Sequence, residues 1–211
     1  MANYRSAREF LLAVEARYRG LHGYSDSGLS RRLTARQPHV VTFKTAYLAS
    51  DRFRFEFCSS HPYRKLSHLV SRDVVGTDGA GAYHYSIDYG GKPQLERPES
   101  REIALAGATG ISSGTAHTIG ALLFEDVHGL RLTELHKPRF RRTRQIDGVR
   151  CLAVSGLHPW GRGRMTAWFG ADDLLLRRLL RHGMNSEELR FDVLPTYVGE
   201  PKDFDAPRLD V

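Results

Sequence analysis

Phenylalanine occupies every second position of residues 53–57, and charged residues precede and separate the rings (Arg52-Phe53-Arg54-Phe55-Glu56-Phe57). Successive side chains of a β-strand point to opposite faces, so this pattern predicts a strand with one aromatic face and one charged face. A sheet with such a strand must cover its aromatic face with a helix, a second sheet or a ligand. The sequence therefore predicts a half-buried sheet whose covered face decides what the chain does.

The length and composition fit one globular unit. A chain of 211 residues with 41% hydrophobic residues predicts a single domain, residues 1–211, around one core. No apolar run approaches the length of about 20 residues that a membrane-spanning helix needs, and no basic segment followed by an apolar one predicts a secretory signal in this sequence. Cys58 and Cys151 can pair only if their Cα atoms lie about 4.4–6.8 Å apart, and we expect buried free thiols.

Helical and strand patterns follow each other in blocks. Ser6 and Glu9 have capping-box spacing, and apolar residues from Phe10 to Tyr18 recur at helical intervals, so we predict an N-terminal helix. After a turn predicted at 25–28, alternating patterns predict strands at 29–34, 41–47, 53–57, 66–75 and 82–88, with a hairpin turn at 78–79. Two short helices are expected at 100–107 and 115–124 around a Gly/Ser joint. Further strands are expected at 139–145, 149–156, 163–169, 174–182 and 187–197. This order predicts an α+β protein whose curved antiparallel sheet holds helices against one face.

The order of these elements resembles the LolA/LolB-like family of periplasmic lipoprotein carriers and outer-membrane lipoprotein-sorting proteins over nearly the whole chain. The resemblance rests on the N-terminal helix, the strand Thr42-Phe43-Lys44-Thr45-Ala46-Tyr47 with its partner 51–57, the turn 76–79 before Tyr83-His84-Tyr85, the central helices, and segments 146–151 and 167–178. It implies an incomplete β-barrel, a strongly curved antiparallel sheet whose concave face is covered by the N-terminal and central helices. Near the corner between strands 41–47 and 53–57, where the family's carrier has a lid-closing arginine, this sequence has Leu48-Ala49-Ser50.

The same resemblance implies a non-enzymatic function without a cofactor, in which an apolar cavity binds and shields a lipid or an acylated protein chain. The residues expected on the concave, lipid-binding side are Phe43, Tyr47, Phe53, Phe55, Phe57, Tyr83, Tyr85, Ile119, Leu122 and Trp168. His84, between two of these tyrosines, is expected on the opposite, solvent-facing side. Partners would be a membrane-associated donor or acceptor protein, the protein would act as a monomer, and its location would be periplasmic, with the cytoplasm as the alternative.

Two other functions are compatible with the same residues. The rings can fill the core of a scaffold or interaction domain, because aromatic faces are core more often than pocket. Gly110-Ile111-Ser112-Ser113-Gly114 matches the G-x-S-x-G pattern of a serine hydrolase with Ser112 as nucleophile, followed by Asp126 and by His128 or His136. A nucleophile elbow follows a buried strand, however, whereas residues 102–108 have a helical pattern, which favours a helix–helix joint. His117, beside this joint, is the histidine we consider for a functional role, and no histidine spacing predicts a metal site.

The net charge of +7 permits an acidic partner. The densest basic segment, residues 137–144, is typical of a protected edge strand, with contact to nucleic acid or to anionic lipid as the alternative. Of partners, we expect no nucleic acid. A loop with Trp160, Arg162 and Arg164 is a second candidate for contact with a membrane or a partner, because tryptophan favours boundaries between polar and apolar phases.

Overall fold

The computed structural model describes residues 4–33, 40–49, 51–60, 69–110, 112, 114–127, 131–158, 163–183, 186–194, 197 and 199–209. The N-terminal helix α1 (Ala7–Arg19) begins at Ser6, whose Oγ accepts a hydrogen bond from the backbone N of Glu9 at 3.1 Å. Phe10, Leu11, Val14 and Tyr18 form its buried stripe, as the sequence predicts.

Within the described ranges, eleven strands and two further α-helices follow α1. Before the central helices lie β1 (Gly23–Arg32), β2 (Val40–Leu48), β3 (Arg52–Ser60), β4 (Val70–Asp78), β5 (Gly81–Ile87) and β6 (Pro93–Glu96). The central helices are α2 (Arg101–Thr109) and α3 (Thr115–Leu123). After them come β7 (His136–Ile146), β8 (Val149–Leu157), β9 (Arg164–Gly170), β10 (Leu176–His182) and β11 (Glu187–Leu194), with short 3-10 helices at Leu132–Glu134 and Pro201–Phe204.

All eleven strands belong to one antiparallel sheet with the order β6-β5-β4-β3-β2-β1-β11-β10-β9-β8-β7. The two strand blocks are joined where β1 pairs with β11, and β6 and β7 are the two edges of the sheet. The sheet is an open, incomplete barrel, and the helices pack against its concave face. The predicted α+β class, the curved sheet, the N-terminal helix and both central helices are confirmed.

The structure corrects the prediction of a turn at residues 25–28, which lie inside β1. Serine, aspartate and glycine usually mark turns, but here Gly28 lies opposite Phe43 on one side and Phe191 on the other. The rings of these two phenylalanines meet at a centroid distance of 5.3 Å. A Cβ at Gly28 would lie 2.1 Å from the backbone O of Arg190 and 2.5 Å from Cζ of Phe43, so the glycine gives the rings room. Strand β6 is a further element that the sequence patterns missed.

The two cysteines are free thiols, as expected. Cys151 is buried and Cys58 is half-buried, and burial raises the pKa of both thiols. Neither is an activated nucleophile, since reactive cysteines have lowered pKa values.

Substitution of Gly28 tests this close packing. We expect Gly28→Ala to lower the free energy of unfolding by about 1–3 kcal/mol, because the added methyl group overlaps a backbone oxygen and a ring. Gly107→Ala, in α2, is the matched control, since the nearest atom to its added Cβ lies 4.0 Å away. That change should raise the free energy of unfolding by about 0.5–1 kcal/mol. Equal urea midpoints for the two variants would contradict the packing described for β1.

Candidate functional site

An aromatic wall runs across the concave face of β2, β3 and β11. It consists of Phe43, Tyr47, Phe53, Phe55, Phe57 and Phe191, each at most 8% exposed. The register brings the rings together, since Phe43 lies opposite Phe57 and Tyr47 lies opposite Phe53. Phe43 and Phe55 stack at 5.8 Å between centroids. The alternation in β3 therefore produces a continuous apolar surface rather than a single buried strand.

A helical hairpin, formed by α2, α3 and a joint of which the structure describes residues 110, 112 and 114, covers this wall. Helix α3 is buried on nearly all sides, with eight of its nine residues buried, including Ile119 and Leu122. Phe124 follows its last turn and packs edge-on against Tyr47 and Phe53, at centroid distances of 5.4 and 5.3 Å. A mostly apolar helix of this kind is stable only when covered on several sides. The sheet and α1 provide that cover.

Arg101 fastens the open end of the helical hairpin. The side chain forms ion pairs with Asp51, in the turn between β2 and β3, and with both carboxylate oxygens of Asp126, at 2.8 and 2.9 Å. The guanidinium carbon also lies 3.6 Å from the centroid of the Phe124 ring. Arg101 thus joins the start of α2, the residue after the end of α3 and the sheet corner. At this corner Leu48-Ala49-Ser50 lacks the arginine of the family pattern; Ser50 itself lies outside the described residues.

Arg181, on the concave face of β10, fastens the other end of the hairpin. Its Nη2 donates to Thr118 Oγ1 at 2.9 Å and to the carbonyl O of Gly114 at 3.4 Å. Its Nη1 donates to Glu187 at 3.1 Å, and the Ser30 hydroxyl donates to the same carboxylate at 2.8 Å. This polar contact therefore holds the joint of the hairpin to the sheet.

The concave side is tightly filled between α1 and α3. A cavity lined by Leu11, Thr118, Ala121 and Leu122 among others has a volume of only about 10 Å³. In the described conformation the rings and the helical hairpin pack against each other, so a bound acyl chain would have to replace part of the hairpin.

Seven of the ten residues predicted to line the site lie together at this interface. They are Phe43, Tyr47, Phe53, Phe55, Phe57, Ile119 and Leu122. Four further residues of this interface are not predicted by the sequence patterns: Phe124, Phe191, Arg101 and Arg181. Of these, Phe191 alternates with Leu189 and Val193 and could have been found, whereas the two arginines carry no signal that distinguishes them from other surface cations.

The prediction that Tyr83 and Tyr85 face the concave side is wrong. They belong to a separate convex cluster with Val74, and the Tyr83 hydroxyl donates to the backbone O of Phe204 at 3.0 Å. The C-terminal 3-10 helix covers this convex patch, which no local pattern predicts. His84 lies instead on the concave side, where its Nε2 is 3.1 Å from Asp73 Oδ1, so its predicted solvent-facing position is also wrong.

The prediction that Trp168 faces the concave side is also wrong. Its neighbour Phe169 belongs to the main core, whereas Trp168 belongs to a convex cluster with Cys151 and Ala153. Both faces of β9 are buried, so strand alternation could not tell which ring points inward.

The joint of the helical hairpin does not have the geometry of a nucleophile elbow. Ser112 is fully buried and lies between two helices, where its Oγ accepts from the backbone N of Ala116 at 3.3 Å. Asp126 pairs with Arg101, and His128 lies outside the described residues. The expected helix–helix joint is confirmed. His117 hydrogen-bonds Thr109 across this joint, and burial lowers its pKa, which keeps the imidazole neutral.

A short polar chain is buried in the core beside the wall. The Tyr24 hydroxyl donates to Asp26 Oδ2 at 2.6 Å, and the rings of Tyr24 and Tyr18 lie 5.4 Å apart. The Tyr18 oxygen accepts from the backbone N of Leu176 at 3.0 Å, which ties α1 to β10. Burial raises the pKa of Asp26 to about 6 and raises the pKa of both tyrosines.

In the described part of the chain, no group of three or more histidine, cysteine, aspartate or glutamate residues is arranged to hold a metal ion. No helix in this part of the chain is long and apolar enough to cross a bilayer.

Comparison with known proteins shows similarity in fold rather than in sequence. No family model matches the chain, and no curated protein matches it. The crystal structure of LprF from Mycobacterium bovis aligns with 92% of this chain and 96% of its own, at 14% identity and a TM-score of 0.52. The crystal structure of MucB aligns with 96% of this chain and 63% of its own, at 10% identity and a TM-score of 0.51. The chain therefore shares its fold with LprF and MucB.

The buried carboxylate predicts a specific pH dependence. The pKa of Asp26 is about 6 in the folded protein, above the value of about 3.9 in the unfolded chain. The protonated carboxyl therefore favours the folded state, and this contribution to stability is complete below pH 4. That stabilisation is lost as the pH rises through 6. Relative to wild type, Asp26→Asn should therefore gain about 3 kcal/mol of stability between pH 4 and pH 8, since one pKa unit corresponds to about 1.4 kcal/mol.

Urea unfolding of both proteins from pH 4 to pH 8 measures this difference. Asp192→Asn, which removes an exposed carboxylate from β11, is the control and should show no such trend. A difference between Asp26→Asn and wild type that stays constant with pH would contradict the account.

Proposed function

We propose that this protein is a non-enzymatic carrier that binds and shields an acyl chain between the aromatic wall and the helical hairpin. The acyl chain would belong to a free lipid or to a lipidated protein. The observation that carries the proposal is a continuous apolar wall, in an open sheet, whose cover is a separate hairpin fastened at its two ends by arginines.

The physical chemistry of the wall suits an acyl chain. Each methylene group moved from water to an apolar surface gains about 0.8 kcal/mol, so a chain of about 14 such groups gains about 11 kcal/mol when fully buried. Binding of this kind needs no specific polar contact along the chain. Tyr47 stands at the Arg101 end of the wall, so a polar head group placed there would meet a phenol and a guanidinium.

The two ends of the helical hairpin differ in how firmly they are held. The carboxylate partners of Arg101 are exposed, with 74% of the Asp51 side chain and 57% of the Asp126 side chain in contact with solvent. The partner of Arg181, Glu187, is only 11% exposed. Exposed ion pairs contribute little to stability, so opening at the Arg101 end costs less. The hairpin would therefore open beside the β2–β3 turn and pivot about the joint.

Partners and location follow the same proposal. A carrier takes its cargo from one membrane-associated protein and delivers it to another, as a monomer, and we propose a periplasmic location in line with the family that the chain resembles. The second candidate is an interaction domain whose concave side is filled by its own side chains. The near-complete burial of the wall favours it, and binding experiments separate the two.

A charge placed in the wall tests the site. We expect Phe55→Glu to lower the affinity for a fluorescent fatty acid more than about tenfold, because a carboxylate inside an apolar site is strongly unfavourable. Tyr85→Glu is the matched control, since it places the same charge among buried convex residues. Circular dichroism checks that both variants fold. Equal affinities of folded Phe55→Glu and wild type would show that the wall is not part of the binding site.

The fastening of the helical hairpin is tested without changing the wall. Arg101→Gln removes two ion pairs and a ring contact, so the fluorescent fatty acid should bind about five- to thirtyfold faster. Arg97→Gln is the control, because Arg97 pairs with Asp78 at 2.8 Å and lies over the Tyr83 ring on the convex face. If stopped-flow rates change equally in both variants, or in neither, the hairpin does not act as a lid.

A further inference from the structure

The convex face carries a second surface, on the opposite side of the sheet from the aromatic wall. Two adjoining grooves there, of about 420 and 210 Å³, share Arg141 and Arg164. We call them together the convex groove. Its lysine and arginine residues are Lys137, Arg139, Arg141, Arg142, Arg144, Arg164 and Arg178. No acidic residue occurs among the described residues that line it.

Strand pairing concentrates these charges on one face. Arg139 lies opposite Ser155, and Ser155 lies opposite Thr166, so this row of convex residues runs from β7 through β8 to β9. In regular alternation, Arg142 and Arg144 would lie on the opposite face from Arg141. The irregularity in the pairing of β7 between residues 141 and 144 brings all three into the same groove.

Most of these cations have no carboxylate partner in the part of the chain that the structure describes. Arg178 pairs with Glu188 at 2.6 Å and covers the Trp168 ring at 4.9 Å. The other six cations form no ion pair with a carboxylate of the described residues, and Arg141 donates instead to the Ser155 hydroxyl at 2.6 Å. An edge strand needs only a few cations to prevent pairing with another chain. The basic face extends beyond the edge to β9 and β10.

Apolar side chains lie among the cations. Leu157, in the smaller groove beside Arg139, Arg141 and Arg164, is 42% exposed. Trp168, in the larger groove, is only 7% exposed beneath Arg178, so its ring face is closed to a stacking base. Proteins that bind single strands offer aromatic faces to bases. Mixed cationic and exposed aliphatic groups suit the interface of a bilayer instead.

We propose that the convex groove docks the protein onto a membrane surface by binding the acidic headgroups of phospholipids. The phosphates bind the arginines of the groove, and Leu157 contacts the boundary between headgroups and acyl chains. The proposal is independent of the acyl site, because the groove and the aromatic wall lie on opposite faces of the sheet. Failure of one would leave the other standing.

Cosedimentation with vesicles tests this proposal. The wild-type protein should bind vesicles that contain phosphatidylglycerol in phosphatidylcholine, and should not bind vesicles of phosphatidylcholine alone. The triple variant Arg141→Gln, Arg144→Gln and Arg164→Gln should bind the acidic vesicles about a hundredfold more weakly, because each cation near an acidic surface contributes about fivefold. Its binding of a fluorescent fatty acid should be unchanged.

The matched control removes the same charge elsewhere. This control is a triple variant that carries Arg17→Gln, Lys92→Gln and Arg208→Gln. The three residues are exposed and lie outside the convex groove. This variant should retain wild-type affinity for the acidic vesicles within a few-fold. Equal weakening of both triple variants would show that net charge alone drives binding and would overturn the proposal. Absence of wild-type binding, or tighter binding to a DNA or RNA oligonucleotide or to an acidic peptide than to the vesicles, would overturn it as well.

Discussion

The structure depends on covering the concave face of an open sheet. Strand β3 alone presents three phenylalanine rings to one side, and pairing with β2 adds Phe43 and Tyr47 to the same surface. An exposed apolar area of this kind is strongly unfavourable in water, and the sheet does not close on itself to hide it. The helices are therefore a consequence of the sheet. Helix α3 in particular is too short and too apolar to exist without the wall on which it packs.

Polar groups within this interface decide how the cover is held. Arg181 and Glu187 connect the joint of the helical hairpin to β10 and β11, and Asp26 lies in a buried chain with Tyr24. Buried polar groups cost free energy unless they are paired, so they favour one arrangement of helices and sheet over others that bury the same area. The Arg101 contacts, with exposed carboxylate partners, are the weaker ones. In the proposed carrier, this difference would give the hairpin a fixed end and an end that opens.

Sequence alternation predicted much of the fold, and seven of the ten residues that it assigned to the site lie together in the core. The Phe53 strand, the N-terminal helix with its Ser6 cap and the two central helices depend on local periodicity, and their positions are confirmed. Tyr83, Tyr85 and Trp168 lie on the opposite face from the one predicted, for two different reasons. The large rings of β5 lie on its convex side, where Phe204, distant in sequence, covers Tyr83. Strand β9 is buried on both faces, so its alternation does not show which ring faces the helices. Residues 25–28 resemble a turn in composition, and only the rings of Phe43 and Phe191 explain why the chain is extended there. The partners of Arg101 and Arg181 are set by tertiary contacts and have no local signature.

The central claim is that the helical hairpin is a replaceable cover over an acyl site. Native mass spectrometry of gently purified protein, followed by organic extraction and lipid analysis, tests it most directly. A carrier of acyl chains should give a stoichiometric adduct, and the mass of the extracted compound should be that of an acyl-bearing molecule. A mass equal to that of the bare chain, unchanged after incubation with phospholipid or with an acylated peptide, would contradict it and would identify the concave side as a permanently filled core.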